Sequence, residues 1–191
     1  MTADARGHSR EGTRPDGVRL VHTAHLDHAS RQAARSLLDV VFEGDMTDED
    51  WEHALGGWHA LAWENAELIG HASLVQRRLL HGGRALRAGY VEGVGVRPDR
   101  QGRGHGSAMM AALEGVLRGA YEVGALGATD DGARFYAGRG WRRWQGRTLA
   151  LTPDGLVRTP EEDGCVYVFP LSAPLDPSGE LVCDWRDGDV W

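Results

Sequence analysis

The sequence predicts a single α/β domain: a mixed, mostly antiparallel sheet flanked by helices. Two observations carry this. Three apolar, strand-like stretches, Trp58–Trp63, Leu68–Leu80 and Ala85–Val96, follow one another with breaks (64–67 and 81–84) too short for crossovers, so neighbours must pair antiparallel. Beyond them the pattern changes to loop, helix, strand, helix, strand, which adds a helix-covered part to the same sheet. At 191 residues the chain suffices for one well-buried domain and is short for two.

Val18–Thr23 reads as an edge strand. Ser30–Phe42 then carries Ala33, Ala34, Leu37, Leu38 and Val41 at helical spacing. A second, short helix opens at Thr47, where Thr47-x-x-Asp50 is a capping-box pattern with Asp48 and Glu49 in the first turn. The three-strand meander comes next, and Pro98 stops its last strand. Met109, Met110, Leu113 and Leu117 place a helix over Ser107–Arg118. Strand Tyr121–Leu126, a helix around Asp131–Gly138, a strand from Trp141 and a strand at Cys165–Leu171 complete the domain, residues 18–191. Met1–Gly17 is polar, with Arg6, Arg10 and Arg14 but no apolar segment after them, and reads as a disordered tail rather than a secretory signal.

Composition removes whole classes of function. No apolar run approaches a membrane span. The basic residues are all arginine, which excludes Schiff-base chemistry, a lysine general base and a P-loop lysine. A net charge of −7 disfavours nucleic acid and suits a cationic partner. Cys165 and Cys183 lack metal-ligand spacing and read as two reduced thiols of a cytoplasmic protein. His22, His25 and His28 have no acidic or thiolate partner at ligand spacing, so no metal is expected.

Arg97-Pro-Asp-Arg-Gln101-Gly-Arg-Gly-His-Gly106-Ser107 joins a strand to a helix. It lacks the spacing of a dinucleotide fold and the ending of a P-loop. What it offers is a run of unhindered N–H groups at a helix N-terminus, an array that binds pyrophosphate without lysine. Arg97, Arg100 and Arg103 are expected to add positive charge. Gly93 and Gly95, inside the preceding strand, mark a bulge or a close backbone approach.

Gln101-x-x-Gly104-x-Gly106 matches the Q/R-x-x-G-x-G/A signature of GNAT acetyltransferases, and Ala133-Arg-Phe135-Tyr136-Ala-Gly-Arg-Gly140-Trp141 resembles their A-x-x-F/Y-Y-x-x-x-G-F segment. The resemblance implies a sheet splayed between the fourth and fifth strands. It also implies acetyl-CoA as co-substrate, bound by Val94, Gly95, Val96 and by Gln101, Gly102, Arg103, Gly104, His105, Gly106 and Ser107. The Val94 N–H would polarise the thioester, and Tyr136 would be the general acid toward the thiolate.

Glu92, in the apolar strand one residue before the bulge, is a candidate general base of raised pKa; its alternative is a salt-bridged sheet residue. The acids fall in three clusters: Asp45 with Asp48, Glu49 and Asp50; Glu161-Glu162-Asp163; and Asp184, Asp187, Asp189 with the Trp191 carboxylate. Together they suit a polycation, although each alone could be a solvated face, and Asp50 could serve only its capping box.

Glu43–Gly57, Gly89-Tyr-Val-Glu-Gly93, Gly119–Leu126 and the ending Cys183-Asp-Trp-Arg-Asp-Gly-Asp-Val-Trp191 resemble the actinobacterial aminoglycoside 2′-N-acetyltransferases. The likeness implies acceptor contacts from Asp45, Asp50, Glu92, Gly93, Gly127, Glu162, Asp189 and Trp191, and a homodimer. Glu162 stands where relatives carry aspartate, and Gly127–Asp131 replaces a serine-rich stretch. Another cationic amine as acceptor, or a non-catalytic binder of acetyl-CoA or antibiotic, remain the alternatives at this point.

Overall fold

The computed structural model describes residues 16–191, so nearly all of the expected tail Met1–Gly17 lies outside the described residues. The first strand, β1 (Gly17–His22), lies along β2 (Trp58–Glu64). Between them come α1 (His28–Val41), N-capped by Asp27, and α2 (Asp48–His53), where the capping box of Thr47 and Asp50 is fully formed. Long strands β3 (Glu67–His81) and β4 (Arg84–Val96) make the expected meander with β2. Helix α3 (His105–Ala120), strand β5 (Val123–Gly127), the short helix α4 (Ala133–Ala137) and the two-residue strand β6 (Arg142–Arg143) follow.

Three strands were not visible in the sequence. Strands β7 (Thr148–Thr152) and β8 (Gly155–Arg158) form a hairpin, and β10 (Leu181–Asp184) comes after β9 (Val166–Pro170). Each is four or five residues long, too short to set a period. Residues of β10 also sit in the acidic ending that attracts a reading as ligand-binding surface.

All ten strands belong to one sheet. Strand β3 pairs with β2 through its first half and with β10 through its second, while β4 runs along its other edge. Pairing is antiparallel except for β4 with β5 and β10 with β7, as expected of a mixed, mostly antiparallel sheet. Alternation along β2 sends Ala60 and Ala62 to one face, under Met109, Leu113 and Leu117 of α3, and Leu61 to the other, under Ala34 and Leu37 of α1. The two long helices therefore cover opposite faces. A further core, around Trp144 and Tyr90, is closed by the last residues, including Trp191.

The feature that makes a site is where pairing stops. Parallel β4 and β5 are in register only at Ala88↔Val123, Gly89↔Gly124 and Tyr90↔Ala125. Beyond Tyr90 the two strands part, and the gap between them opens into a cavity.

Candidate active site

The gap is a cavity of about 490 Å³, with Val91, Gly93 and Val94 on the β4 side, Leu126 and Gly127 on the β5 side, and Tyr136 of α4 beside them. An adjoining cavity of about 250 Å³ shares Phe42, Glu92, Gly93, Asp189 and Trp191 with it and extends to Asp45 and Asp50. One continuous space thus runs from the split sheet to the acidic end of α2.

At the centre of this space β4 carries one residue more than β3: His71 lies opposite Gly95, and Ser73 opposite Glu92. The extra residue is accommodated at Gly93, whose φ of +52° is the left-handed region that glycine alone enters without strain. The expectation of a bulge between Glu92 and Val96 holds. Gly95 has a different reason: a Cβ there would come within 3.0 Å of Val41 and 3.1 Å of Leu38 on α1.

The glycine-rich loop follows at the end of β4. Gly102 and Gly104 take φ values of +73° and +87°, and Gly104 is the N-cap of α3, without any side-chain cap. The first intrahelical bond is Ala108 N–H to Gly104 C=O, 2.9 Å. The N–H groups of His105, Gly106 and Ser107 therefore precede the helical ladder, with the positive end of the helix behind them. Gln101 braces the loop by donating to the Val96 carbonyl at 3.1 Å. These residues fit a pyrophosphate at the helix end, next to a slot for an extended arm between β4 and β5.

The three arginines do not act alike. Arg100 pairs with Glu64 (2.5 Å) and Asp99 (2.7 Å), and Arg97 pairs with Glu67 (2.9 Å) and Asp99 (2.6 Å). Their charge is consumed in holding the turn. Arg103 is exposed, and no ion pair to it is found among the described residues.

Glu92 lines both cavities and is salt-bridged to Arg186, so the functional reading and its alternative describe the same carboxylate. Burial raises its pKa, and Arg186 pulls it back down. Tyr136 lies among Phe135, Trp141 and Tyr167, with ring centroids 5.1–6.2 Å apart. Burial pushes its hydroxyl up to about 12, which keeps it protonated. Its short helix is anchored from α3: Glu114 accepts both arms of Arg139 at 2.8 Å and the Trp141 indole N–H at 3.1 Å.

The structure sorts each acidic cluster. Asp45 and Asp50 line the smaller cavity, although one oxygen of Asp50 accepts the Thr47 N–H (2.9 Å) and so caps α2 as well. Asp48 is taken by Arg35 (3.0 Å). Glu162 lines the larger cavity, its pKa raised by burial and by the neighbouring Asp189 and Glu161 carboxylates. Glu161 is exposed and lines neither cavity, so it is not brought to the site. Asp163 is held by Arg158 and by Thr148, which pull its pKa well down. Asp184 pairs with buried Arg77 at 2.7 Å. Asp189 and Trp191 line both cavities.

Two residues escaped the sequence reading. Arg186 bridges Glu92 to the carbonyl of Asp189 (2.7 Å) and to a main-chain oxygen of Trp191 (2.9 Å). Its signal was available: it is the one base in an acidic run. Tyr90 is buried beside the guanidinium groups of Arg77 and Arg186, 4.8 and 5.6 Å from its ring centroid, and its hydroxyl has no hydrogen-bond partner among the described residues.

A parted β4/β5 pair, a β4 bulge and an uncapped, glycine-led helix meet at one place in the fold, and the acetyltransferase (GNAT) domain model matches residues 20–143. The chain belongs to the GNAT acetyltransferases. It is 53% identical over 178 residues, 91% of each chain, to an aminoglycoside 2′-N-acetyltransferase of Mycolicibacterium fortuitum. Its fold resembles Escherichia coli ElaA (TM-score 0.56, 18% identity, 79% of this chain and 97% of that one). A Brucella melitensis GNAT family acetyltransferase in complex with acetyl-CoA is similar at TM-score 0.56 and 17% identity, over 87% of this chain and 96% of that one. The protein is accordingly an acetyltransferase, and Glu92, Tyr136 and the acids around them are the residues to weigh for its chemistry.

Proposed function

We propose that the enzyme transfers the acetyl group of acetyl-CoA to the 2′-amine of aminoglycoside antibiotics and so inactivates them. The observation that carries this reading is the meeting of Asp45, Asp50, Glu92, Glu162 and Asp189 around two adjoining cavities at the Gly93 bulge. Acids drawn from four separate parts of the chain suit a polycation with several ammonium groups. The relative of 53% identity bears the matching name.

In this reading the loop from Gln101 to Ser107 holds the pyrophosphate of acetyl-CoA. The gap between β4 and β5 takes its arm, with Val94, Gly95 and Val96 alongside. Glu92, kept ionised by Arg186, draws the amine proton through water. The Val94 N–H stabilises the developing oxyanion, and Tyr136 protonates the leaving thiolate. Gly93, Gly127 and Trp191 shape the acceptor's seat. Much of the rate comes from holding two reactants together, because an amine is already a competent nucleophile.

The test is acetyl-CoA-dependent thiol release with paired aminoglycosides bearing an amine or a hydroxyl at the 2′ position. Turnover of the amine member alone is expected. Equal turnover of both would remove the regiospecificity, and turnover of neither would point to a different cationic amine.

A further inference from the structure

A second polar system lies buried behind the bulge, and no step above uses it. His59 of β2 and His71 of β3 are both fully buried. The Gly93 carbonyl is 2.8 Å from His71 Nδ1, His71 Nε2 is 2.9 Å from His59 Nδ1, and His59 Nε2 is 2.7 Å from Thr23 Oγ1.

The carbonyl end decides the polarity of this chain, because a carbonyl can only accept. His71 Nδ1 therefore carries a proton and donates it to Gly93. Neutral His71 then has a bare Nε2, which accepts from His59 Nδ1–H. The bare His59 Nε2, at 2.7 Å, in turn accepts the Thr23 hydroxyl proton in preference to the Gly57 carbonyl at 3.1 Å. Thr23 Oγ1 is itself held by the Gly56 N–H at 2.9 Å. Burial keeps both imidazoles uncharged, with pKa values pushed down to about 3 for His59 and about 4 for His71, so the polarity is not reversed near neutral pH. A chain ending on a carbonyl does not pass a proton into the site. What it can do is fix a direction.

The bulge gives that direction a consequence. The extra residue of β4 leaves neither Gly93 nor Val94 with a partner across β3, and β5 has already departed. The His71 donor replaces the missing ladder bond at the Gly93 carbonyl. No peptide here is cis, so within the planar Gly93–Val94 peptide the C=O and the N–H point in opposite directions. With the carbonyl turned inward to His71, the Val94 N–H is turned outward, on the stretch of β4 that lines the cavity.

We propose that Thr23, His59 and His71 form a positioning relay that aims the Val94 N–H at the thioester oxygen. The proposal rests on the reading of Val94 as the oxyanion donor. It assigns the reach of that donor to His59 on β2, His71 on β3 and Thr23 in the turn after β1, none of which touches a reactant.

The test reads polarisation and turnover separately. With carbonyl-labelled acetyl-CoA and no acceptor, the thioester C=O stretch is expected to fall on binding to the native protein. His71→Phe should lose most of that shift and lower kcat about 10- to 100-fold, while the Kd of coenzyme A stays within about twofold, as expected of a donor that acts on the transition state. His71→Asn keeps an N–H near the place of Nδ1 and should restore both readouts. Thr23→Val should give a smaller loss in the same direction, about two- to fivefold in kcat.

A folded His71→Phe variant with native stretch and native kcat overturns the proposal. Should His71→Phe not fold, Thr23→Val carries the decision, and native values for it overturn the relay. A native protein with no shift at all overturns the relay together with the role of Val94. Because the stretch is read without acceptor, failure of every aminoglycoside to react would sink the acceptor reading while leaving this measurement intact.

Discussion

The carboxyl of Glu92 is pulled in two directions, upward in pKa by burial and downward by the Arg186 guanidinium. A base must be ionised to work, so the proposed role of Glu92 predicts that activity is lost as pH falls through its raised pKa. Arg186→Met removes the opposing pull, and the acid limb of the kcat/KM profile should move to higher pH, with Arg186→Lys restoring most of it. An unmoved limb would mean that Glu92 does not govern that ionisation. Tyr136 makes the complementary case. Held near 12 by burial, it stays protonated throughout the working range, as the proposed general acid must. Tyr136→Phe should lower kcat by about 100-fold or more with acetyl-CoA binding almost unchanged, as measured by calorimetry. Native turnover would take the residue out of the mechanism.

At the scale of the element, the β2–β3 pair carries a stability cost that shows at acid pH. His59 and His71 are depressed from a usual 6.5 to about 3 and about 4. Their unfolded forms therefore bind protons first, and stability is intact above 6.5 but falls as pH drops below it. For His71 alone the loss by pH 4 is on the order of 3 kcal/mol, and the two rings titrate as a coupled pair. Urea midpoints taken from pH 7.5 to 4.5 should fall on this schedule, and the double variant His59→Gln with His71→Asn should flatten the curve. Much of what these strands do was legible beforehand. The short breaks at 64–67 and 81–84 required antiparallel neighbours, and Thr47 and Asp50 spelled out a capping box that the structure forms. Gly93 and Gly95 marked the bulge, though only coordinates separate the backbone need of Gly93 from the crowding at Gly95. The histidine pair was not legible. Residues 12 apart meet through strand register, and a one-residue bulge decides which carbonyl they serve. Strands as brief as β7, β8 and β10 leave little periodicity to read, and the packing of Ala150, Leu181 and Cys183 around Trp144 and the C-terminal residues, rather than local pattern, makes strands of β7 and β10.

Over the whole molecule, charge is divided between holding the fold and serving the site. Of the acids singled out in the sequence, Asp48, Asp163 and Asp184 are committed to Arg35, Arg158 and Arg77. Asp45, Asp50, Glu162 and Asp189 face the cavities instead. A net charge of −7 would attract any cation weakly, but a local cluster with a low-dielectric wall concentrates the field where the acceptor enters. The two sources of attraction separate by experiment. For a tetracationic aminoglycoside, kcat/KM should fall roughly tenfold between low salt and about 0.5 M, as screening shortens the reach of the carboxylates. Acetyl-CoA saturation should respond far less. Asp45→Asn and Glu162→Gln should each flatten the dependence on acceptor, because each removes a charge from the cavity wall. Glu180→Gln removes the same charge from an exposed residue that lines neither cavity, and it should leave the slope as it is. If all three variants flattened it equally, net charge rather than the arrangement of the site would be guiding the acceptor, and the sorting of acids between fold and cavity would have no part in recognition.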